Sequence, residues 1–235
     1  MTIVNCDAKQ LEVNVVAFLS QDPILIHEVT NKFDIHADNQ FKFGLPSRLI
    51  AKIFMFRLIY GGSAYSYAHD PDFAEVGYNE KQWQEVINRF YNKYKRLAEW
   101  HKEILQEAIA NKILVMPTGR VFEFLPKDGK YPETTIKNYP VQGTGADIMS
   151  IIRVIFTKLF RQANIEGVII STVHDSIVVD VVPGEEGKVV KLFEKAFELM
   201  PKNFEIIFGE EYNLPIFCEV SVGPNLKDLI EYVEF

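Results

Sequence analysis

Two runs of apolar, β-branched residues, Val168 to Val173 and Ile177 to Val182, are separated only by His174-Asp175-Ser176. Such runs suit a pleated, buried surface, and the short gap leaves room only for a tight turn. The pair therefore predicts an antiparallel hairpin with Asp175 at its tip. Thr2 to Cys6 reads as a further short buried strand that delivers Asp7 to its end. Taken singly, Asp7 reads as a strand-end cap and Asp175 as a turn residue. Taken together, both converge on the edge of one sheet, where a carboxylate is awkward unless it binds something.

The rest of the chain is mainly helical in pattern. Gln10 to Leu19 is helix-like, and Pro46-Ser47 and Gly61-Gly62 give the start and stop of a helix over Arg48 to Tyr60. Asn79 to Lys112 contains neither Gly nor Pro, and Trp83, Val86, Ile87, Phe90, Tyr94 and Leu97 recur at helical spacing. That predicts a long amphipathic helix or a helix pair, its aromatics in the core. Leu114 to Leu125 predicts a hairpin around Pro117-Thr118-Gly119, followed by an irregular loop from Lys127 to Tyr139. Helices are expected from about Gln142 to Gln162 and from Glu185 to Leu199, and a closing strand over Ile216 to Val222.

With 235 residues, 48% of them hydrophobic, the chain can bury a sizeable core. Its apolar stretches fall short of the roughly 18 residues that cross a bilayer, and its start lacks the features of a secretory signal. A cytoplasmic location and no membrane partner are expected. Cys6 and Cys218 lie far apart without a CxxC or Cys/His cluster, which predicts buried thiols and neither a disulfide framework nor a zinc site. The formal net charge of −7 argues at first against nucleic acid. Its distribution reverses that impression, because residues 180–235 hold 12 acidic and 5 basic side chains while residues 1–179 hold 20 of each. Asn39 to His69 contains Lys42, Arg48, Lys52 and Arg57 and no acid, so an anion is expected there.

Arg48, Lys52, Phe56 and Tyr60 recur every four residues and share one slowly turning helix face. The cationic end coincides with the helix N-terminus, which itself favours phosphate, and the aromatic end lies about 18 Å further along. A nucleoside triphosphate laid along the helix matches that gradient, and so does an ordinary amphipathic helix. Asp7 and Asp175 suit magnesium, which takes one or two carboxylates together with substrate phosphates. Two such ions about 4 Å apart serve an in-line phosphoryl transfer.

Asp7-Ala8-Lys9-Gln10-Leu11-Glu12 resembles motif A of the A-family DNA polymerases, of the bacterial polymerase I type, in its Asp-x-x-Gln-x-Glu pattern. Arg48-x-x-x-Lys52-x-x-x-Phe56-x-x-x-Tyr60-Gly61 resembles motif B, and Val173-His174-Asp175 resembles motif C. Asp34-Ile35-His36, Thr118-Gly119-Arg120, the block from Asn138 to Asp147 and Glu219 to Gly223 are also similar to family blocks, so the resemblance covers nearly the whole chain.

The resemblance implies an α+β fold, a palm with an antiparallel sheet and helices, interrupted by mostly helical fingers. Residues 1–30 would be the first part of the palm with motif A, 31–140 the fingers with motif B, and 141–235 the second part of the palm with motif C. It implies DNA-directed DNA synthesis from dNTPs on primer-template DNA with two magnesium ions, manganese being a substitute. Asp7 and Asp175 would be the metal ligands, and Arg48 and Lys52 would grip the triphosphate, Lys52 also protonating the pyrophosphate. Gln10 and His36 would be further nucleotide contacts. Glu12 would be the steric gate against a ribose 2′-OH, Phe56 would flank the sugar, and Tyr60 would close over the insertion site. Asn138, Gln142 and His174 would touch the minor-groove side of the primer terminus.

Ser176 stands where the family usually has Glu, and His-Asp-Ser is similar to single-subunit RNA polymerases, which makes RNA synthesis an alternative. A non-catalytic nucleic-acid-binding subunit is another, opposed by the presence of Asp7, Asp175 and Lys52. Met55 and Arg57 replace the family's usual Asn and Gly, and Thr134 stands where it often has Arg. The chain starts six residues before Asp7, so thumb, upstream palm and exonuclease-type domain are expected on a separate chain, as in a split phage polymerase, or lost from a truncated one. An open sheet edge beside Thr2 to Cys6 is expected to receive that companion.

Overall fold

The computed structural model describes residues 1–233; Glu234 and Phe235, the end of the segment 141–235, lie outside the described residues. The chain begins with strand β1 (Thr2–Ala8) and helices α1 (Leu11–Ser20), α2 (Pro23–Thr30), α3 (Ile35–Phe43), α4 (Arg48–Ile59) and α5 (Ala64–His69). A 3₁₀ turn over Pro71–Val76 leads to α6 (Glu80–Lys93) and α7 (Lys95–Asn111), then the small hairpin of β2 (Ile113–Val115) and β3 (Val121–Glu123). The long α8 (Glu133–Gln162) is followed by β4 (Gly167–Val173), β5 (Ser176–Val181), α9 (Glu186–Phe208), β6 (Cys218–Gly223) and β7 (Ile230–Glu231). Two compact units result, one of Met1–Val15 with the chain from Gly143 onward, the other Val16–Gln142, and the division falls inside α1 and inside α8. No helix among the described residues is long and apolar enough to cross a membrane.

The first unit is built on an antiparallel sheet in the order β4-β5-β1-β6-β7. Strand alternation gives the sheet two unlike faces. Val4, Cys6 and Ala8 of β1 and Ile177, Val179 and Val181 of β5 are buried together with Phe193, Phe197 and Met200 of α9. Phe156 of α8 stacks on Phe193 with centroids 3.8 Å apart. Asn5 and Asp7 alternate with the buried β1 residues and lie on the other, half-exposed face.

Three expectations need correction here. Strand β1 has no open edge, because β5 and β6 pair along both its sides; among the described strands the outer ones are β4 and β7. Asp7 lies within the strand, which runs through Ala8. Cys218, expected to be a buried thiol, is only half-buried, whereas Cys6 is buried as expected; the two free thiols sit diagonally across the β1–β6 ladder, where Cys6 pairs with Val220 and Ala8 with Cys218.

The second unit is helical around an aromatic core. Asn79–Lys112 forms the helix pair α6 and α7, with Tyr94 between them. Trp83 lies 5.7 Å from Phe54 and 5.1 Å from Tyr67 and Phe73, centroid to centroid. Lys93, its side chain largely covered, pairs with Glu28 and Asp38, each at 2.8 Å, so its charge is compensated where it is desolvated. The expected loop over Lys127–Tyr139 is corrected in its second half, since α8 begins at Glu133 and contains Pro140. Pro140, Gly143 and Gly145 oppose a helix locally. The buried stripe of Ile136, Val141, Thr144, Ile148 and Ile152 nevertheless recurs at helical spacing through all three, and its burial holds the helix together. By the same means α9 runs on past Leu199 to Phe208 with Pro201 inside it, Phe204 being buried.

Candidate active site

On the open face of the sheet Asp7 forms a cross-strand row with Ser176 on β5 and Glu219 on β6. His174 and Asp175 make the turn between β4 and β5, with His174 exposed in a left-handed conformation at φ 52°. The Asp175 carbonyl accepts the Ala8 N–H at 2.9 Å, which fixes the turn beside Asp7. Ser176 Oγ donates to the Val173 carbonyl at 3.0 Å, so the residue in place of the family's usual Glu closes the turn. Asn5 Nδ2 donates to Asp7 Oδ2 at 2.6 Å. Burial first, then the charges of Asp175 and Glu219, push the Asp7 carboxyl above its ordinary value, against the lowering effect of the Asn5 hydrogen bond. Like charges have been brought together beside Asp7, where they oppose its ionisation.

This donor set fits magnesium. Its ligands are hard carboxylate oxygens, and their mutual repulsion is what a divalent cation relieves. The described residues hold no ready-made group of three or more His, Cys, Asp or Glu side chains for a metal, so water and substrate oxygens would complete the coordination. Gln10, at φ 51°, makes the corner between β1 and α1, and its carbonyl accepts the Asn14 N–H at 3.0 Å. Glu12 is half-buried in the first turn of α1.

In the helical unit Ser47 caps α4, its hydroxyl accepting from the Ile50 N–H at 3.1 Å. Ala51, Phe54, Met55, Leu58 and Ile59 face the core, leaving Arg48 and Lys52 exposed and Phe56 and Tyr60 half-buried. The acid-free window is not free of acid in space. Arg48 Nε donates to Asp34 Oδ2 at 2.8 Å and Oδ1 at 3.1 Å, Lys42 pairs with Asp38 at 2.9 Å, and Arg57 pairs with Asp70 and Asp72. Of the window's four cations, Lys52 alone has no acidic partner among the described residues; its ammonium lies 5.9 Å from the Phe56 ring centroid. Arg57 and Met55 have structural partners, Met55 being buried and accepting from Asn39 Nδ2 at 3.5 Å.

His36, only 2% exposed, packs on Phe56 at 5.8 Å, and its Nδ1 has no hydrogen-bond partner. Burial, with the charges of Arg48 and Lys52, pulls its pKa down to about 4, and burial with Lys137 takes His101 to about 3. Both therefore stay neutral in the native state while an unfolded histidine protonates near 6.5. The unfolded state binds more protons below that pH, so this stability is present above about 6.5 and is lost as pH falls toward 4. Each histidine should remove about 2 kcal/mol between pH 7 and pH 5. Urea midpoints at the two pH values check this, and His36→Gln should flatten the dependence.

Near the end of the helical unit, Gln142 is exposed and donates to the Tyr60 hydroxyl at 2.7 Å. Asn138 is half-buried, with Oδ1 lacking a partner. Asp7 and Asp175 are thus brought together in one unit, with His174 in the same turn, while Arg48, Lys52, His36 and Phe56 assemble in the other. Asn5, Glu219 and Asp34 were not singled out as site residues by sequence reasoning. The alternation Asn5–Asp7 was a readable signal for the first, whereas Glu219 and Asp34 need the pairing register and the fold.

The profile of DNA polymerase family A matches residues 1–228. DNA polymerase I of Caldicellulosiruptor bescii is 27% identical over 239 residues, covering 95% of this chain and 26% of the relative. DNA polymerase I of Pseudomonas aeruginosa is 28% identical, covering 93% and 24%, and the DNA polymerase of Bacillus phage SP01 is 24% identical, covering 97% and 26%. The chain spans about a quarter of the length of these relatives. Among solved structures, the polymerase domain of Pol1 from M. smegmatis in complex with DNA primer-template and dNTP shares the fold, with a TM-score of 0.78, 19% identity and coverage of 95% of this chain and 39% of that one.

Proposed function

The chain belongs to DNA polymerase family A, and from that membership we propose that it carries the chemistry of template-directed DNA synthesis, transferring a deoxynucleotidyl group from a dNTP to a primer 3′-hydroxyl. The observation that carries this reading is the placement of the Asp175 turn beside Asp7 on the open sheet face, where the Ala8 N–H holds the Asp175 carbonyl at 2.9 Å. On this reading the sheet unit is the palm and the helical unit the fingers.

Asp7 and Asp175 would hold two magnesium ions, for which manganese would substitute. Such ions, when bound, activate the attacking hydroxyl and neutralise charge on the leaving group. Asn5 holds the Asp7 carboxylate in one orientation for that task. Arg48, held through Nε by Asp34, keeps its terminal guanidinium nitrogens for phosphate oxygens. Lys52 brings an ammonium without an acidic partner and is the candidate donor of a proton to pyrophosphate. Neutral His36 and Gln10 add nucleotide contacts, Phe56 flanks the sugar, and Glu12 excludes a 2′-hydroxyl. Gln142 must exchange the Tyr60 hydroxyl for a base edge as Tyr60 closes over the insertion site, and Asn138 and His174 are contacts for the primer terminus. Because the chain covers only 26% of its C. bescii relative, we further propose that duplex DNA is gripped largely by polypeptide beyond these residues.

Primer extension with deoxyribonucleotides and with ribonucleotides tests the reading. Deoxyribonucleotides should be preferred, and Glu12→Ala should raise ribonucleotide incorporation about tenfold or more by opening space beside the sugar. A wild-type preference for ribonucleotides would make the RNA-polymerase reading the right one.

A further inference from the structure

Lys137 lies in the second turn of α8 and has no ion-pair or hydrogen-bond partner among the described residues. It is nevertheless half-buried, and burial lowers its pKa, with Glu133 the only acid opposing that effect. A cation held partly out of water without a direct ion pair is costly, and such groups commonly mark a binding site. Its position is set by packing. Gly61, at φ +94° just past α4, leaves a gap in which a side chain would meet the Thr134 Cα at 3.3 Å and the Lys137 Cδ at 3.5 Å. The Lys137 stem therefore lies against the Gly61 turn, on the same face of α8 as Thr134, one turn away. Its charge also helps keep buried His101 neutral, so no second cation competes at this spot.

We propose that Lys137 is a phosphodiester contact, taking a backbone phosphate of the primer-template duplex beside the Gly61 turn; this rests on the polymerase reading above. The duplex is chosen over the triphosphate because of distance along α4. Arg48 opens that helix and Gly61 follows its C-cap Tyr60, which separates the two ends by about 18 Å at 1.5 Å per residue, more than one triphosphate spans. Asn138, the next residue, has an unpartnered buried Oδ1, so polar groups lacking partners adjoin each other here.

The test is equilibrium binding of a primer-template duplex to the full chain over a salt series. Lys137→Ala should weaken binding about five- to tenfold at low salt and reduce the slope of log K against log salt by about one, while the KM for dNTP stays within about twofold. Lys137→Arg should keep both, and Thr134→Arg added to Lys137→Ala should restore them by returning a cation one turn earlier on the same face. Unchanged duplex affinity and slope in Lys137→Ala, with wild-type protein binding duplex, would overturn the assignment. So would a loss confined to the KM for dNTP, which would place the triphosphate at Lys137. A wild-type chain that binds no duplex at low salt would overturn this proposal but not the polymerase reading, which assigns most of the duplex grip to polypeptide beyond these residues and is tested by deoxyribonucleotide extension.

Discussion

Asp7→Ala and Asp175→Ala should each lower single-turnover primer extension by at least about three orders of magnitude, and the double variant should be little worse than either alone. The reason is that the two carboxylates form one electrostatic unit. Burial and the Asp175 and Glu219 charges already raise the Asp7 carboxyl above its ordinary value, so the pair is poorly disposed to exist without a cation. This has a second consequence, opposite in sign. Asp175→Asn removes a repulsive charge beside Asp7 while its backbone carbonyl still accepts from Ala8. Its melting temperature in chelator should therefore equal or exceed that of the wild type, although extension is lost. A merely structural role for Asp175 would lower both together. Near-normal turnover in either alanine variant, from a preparation competent before mutation, would sink the two-carboxylate assignment.

Much of this arrangement was legible in sequence because local signals and burial agree. The β4–β5 hairpin follows from its two β-branched runs, and α4 from the Ser47 cap and the Gly61 stop. Where local and tertiary preferences conflict, the reading failed: Pro140, Gly143 and Gly145 argued for a loop or a late start, and the buried stripe along α8 overrode them. Asp22-Pro23 is a readable start for α2, with Asp22 accepting from the Ile24 and Leu25 N–H groups. Other features were beyond linear reading. Glu219 lies 212 residues from Asp7, yet pairing places it directly opposite. The window from Asn39 to His69 looked purely cationic because Asp34, Asp38, Asp70 and Asp72, which neutralise three of its four cations, lie just outside it.

That neutralisation separates two basic residues that the sequence treats alike, and it leads to the second large effect. Arg48 is already held by Asp34 at 2.8 Å, so phosphate must share or displace an existing partner, and part of its interaction energy replaces energy that was present before. Lys52 has no acidic partner among the described residues, its ammonium lying 5.9 Å from the Phe56 ring centroid. Its attraction to a triphosphate is therefore newly gained on binding, and charge-assisted contacts of this kind contribute about 1.5–3 kcal/mol each. Lys52→Ala should lower kcat/KM for dNTP about a hundredfold, or more if the ammonium also protonates pyrophosphate, while duplex affinity changes less than about twofold. Asp34→Asn should produce only a modest loss, since it frees Arg48 from one orientation without removing its charge. The decisive comparison is between Lys52→Ala and Lys52→Arg. Arg keeps the positive charge but does not release a proton near neutral pH, so it should recover KM for dNTP without recovering kcat. Recovery of both by Arg would leave Lys52 as an electrostatic grip alone, and equal loss in duplex binding and nucleotide use would move it from the triphosphate to the DNA.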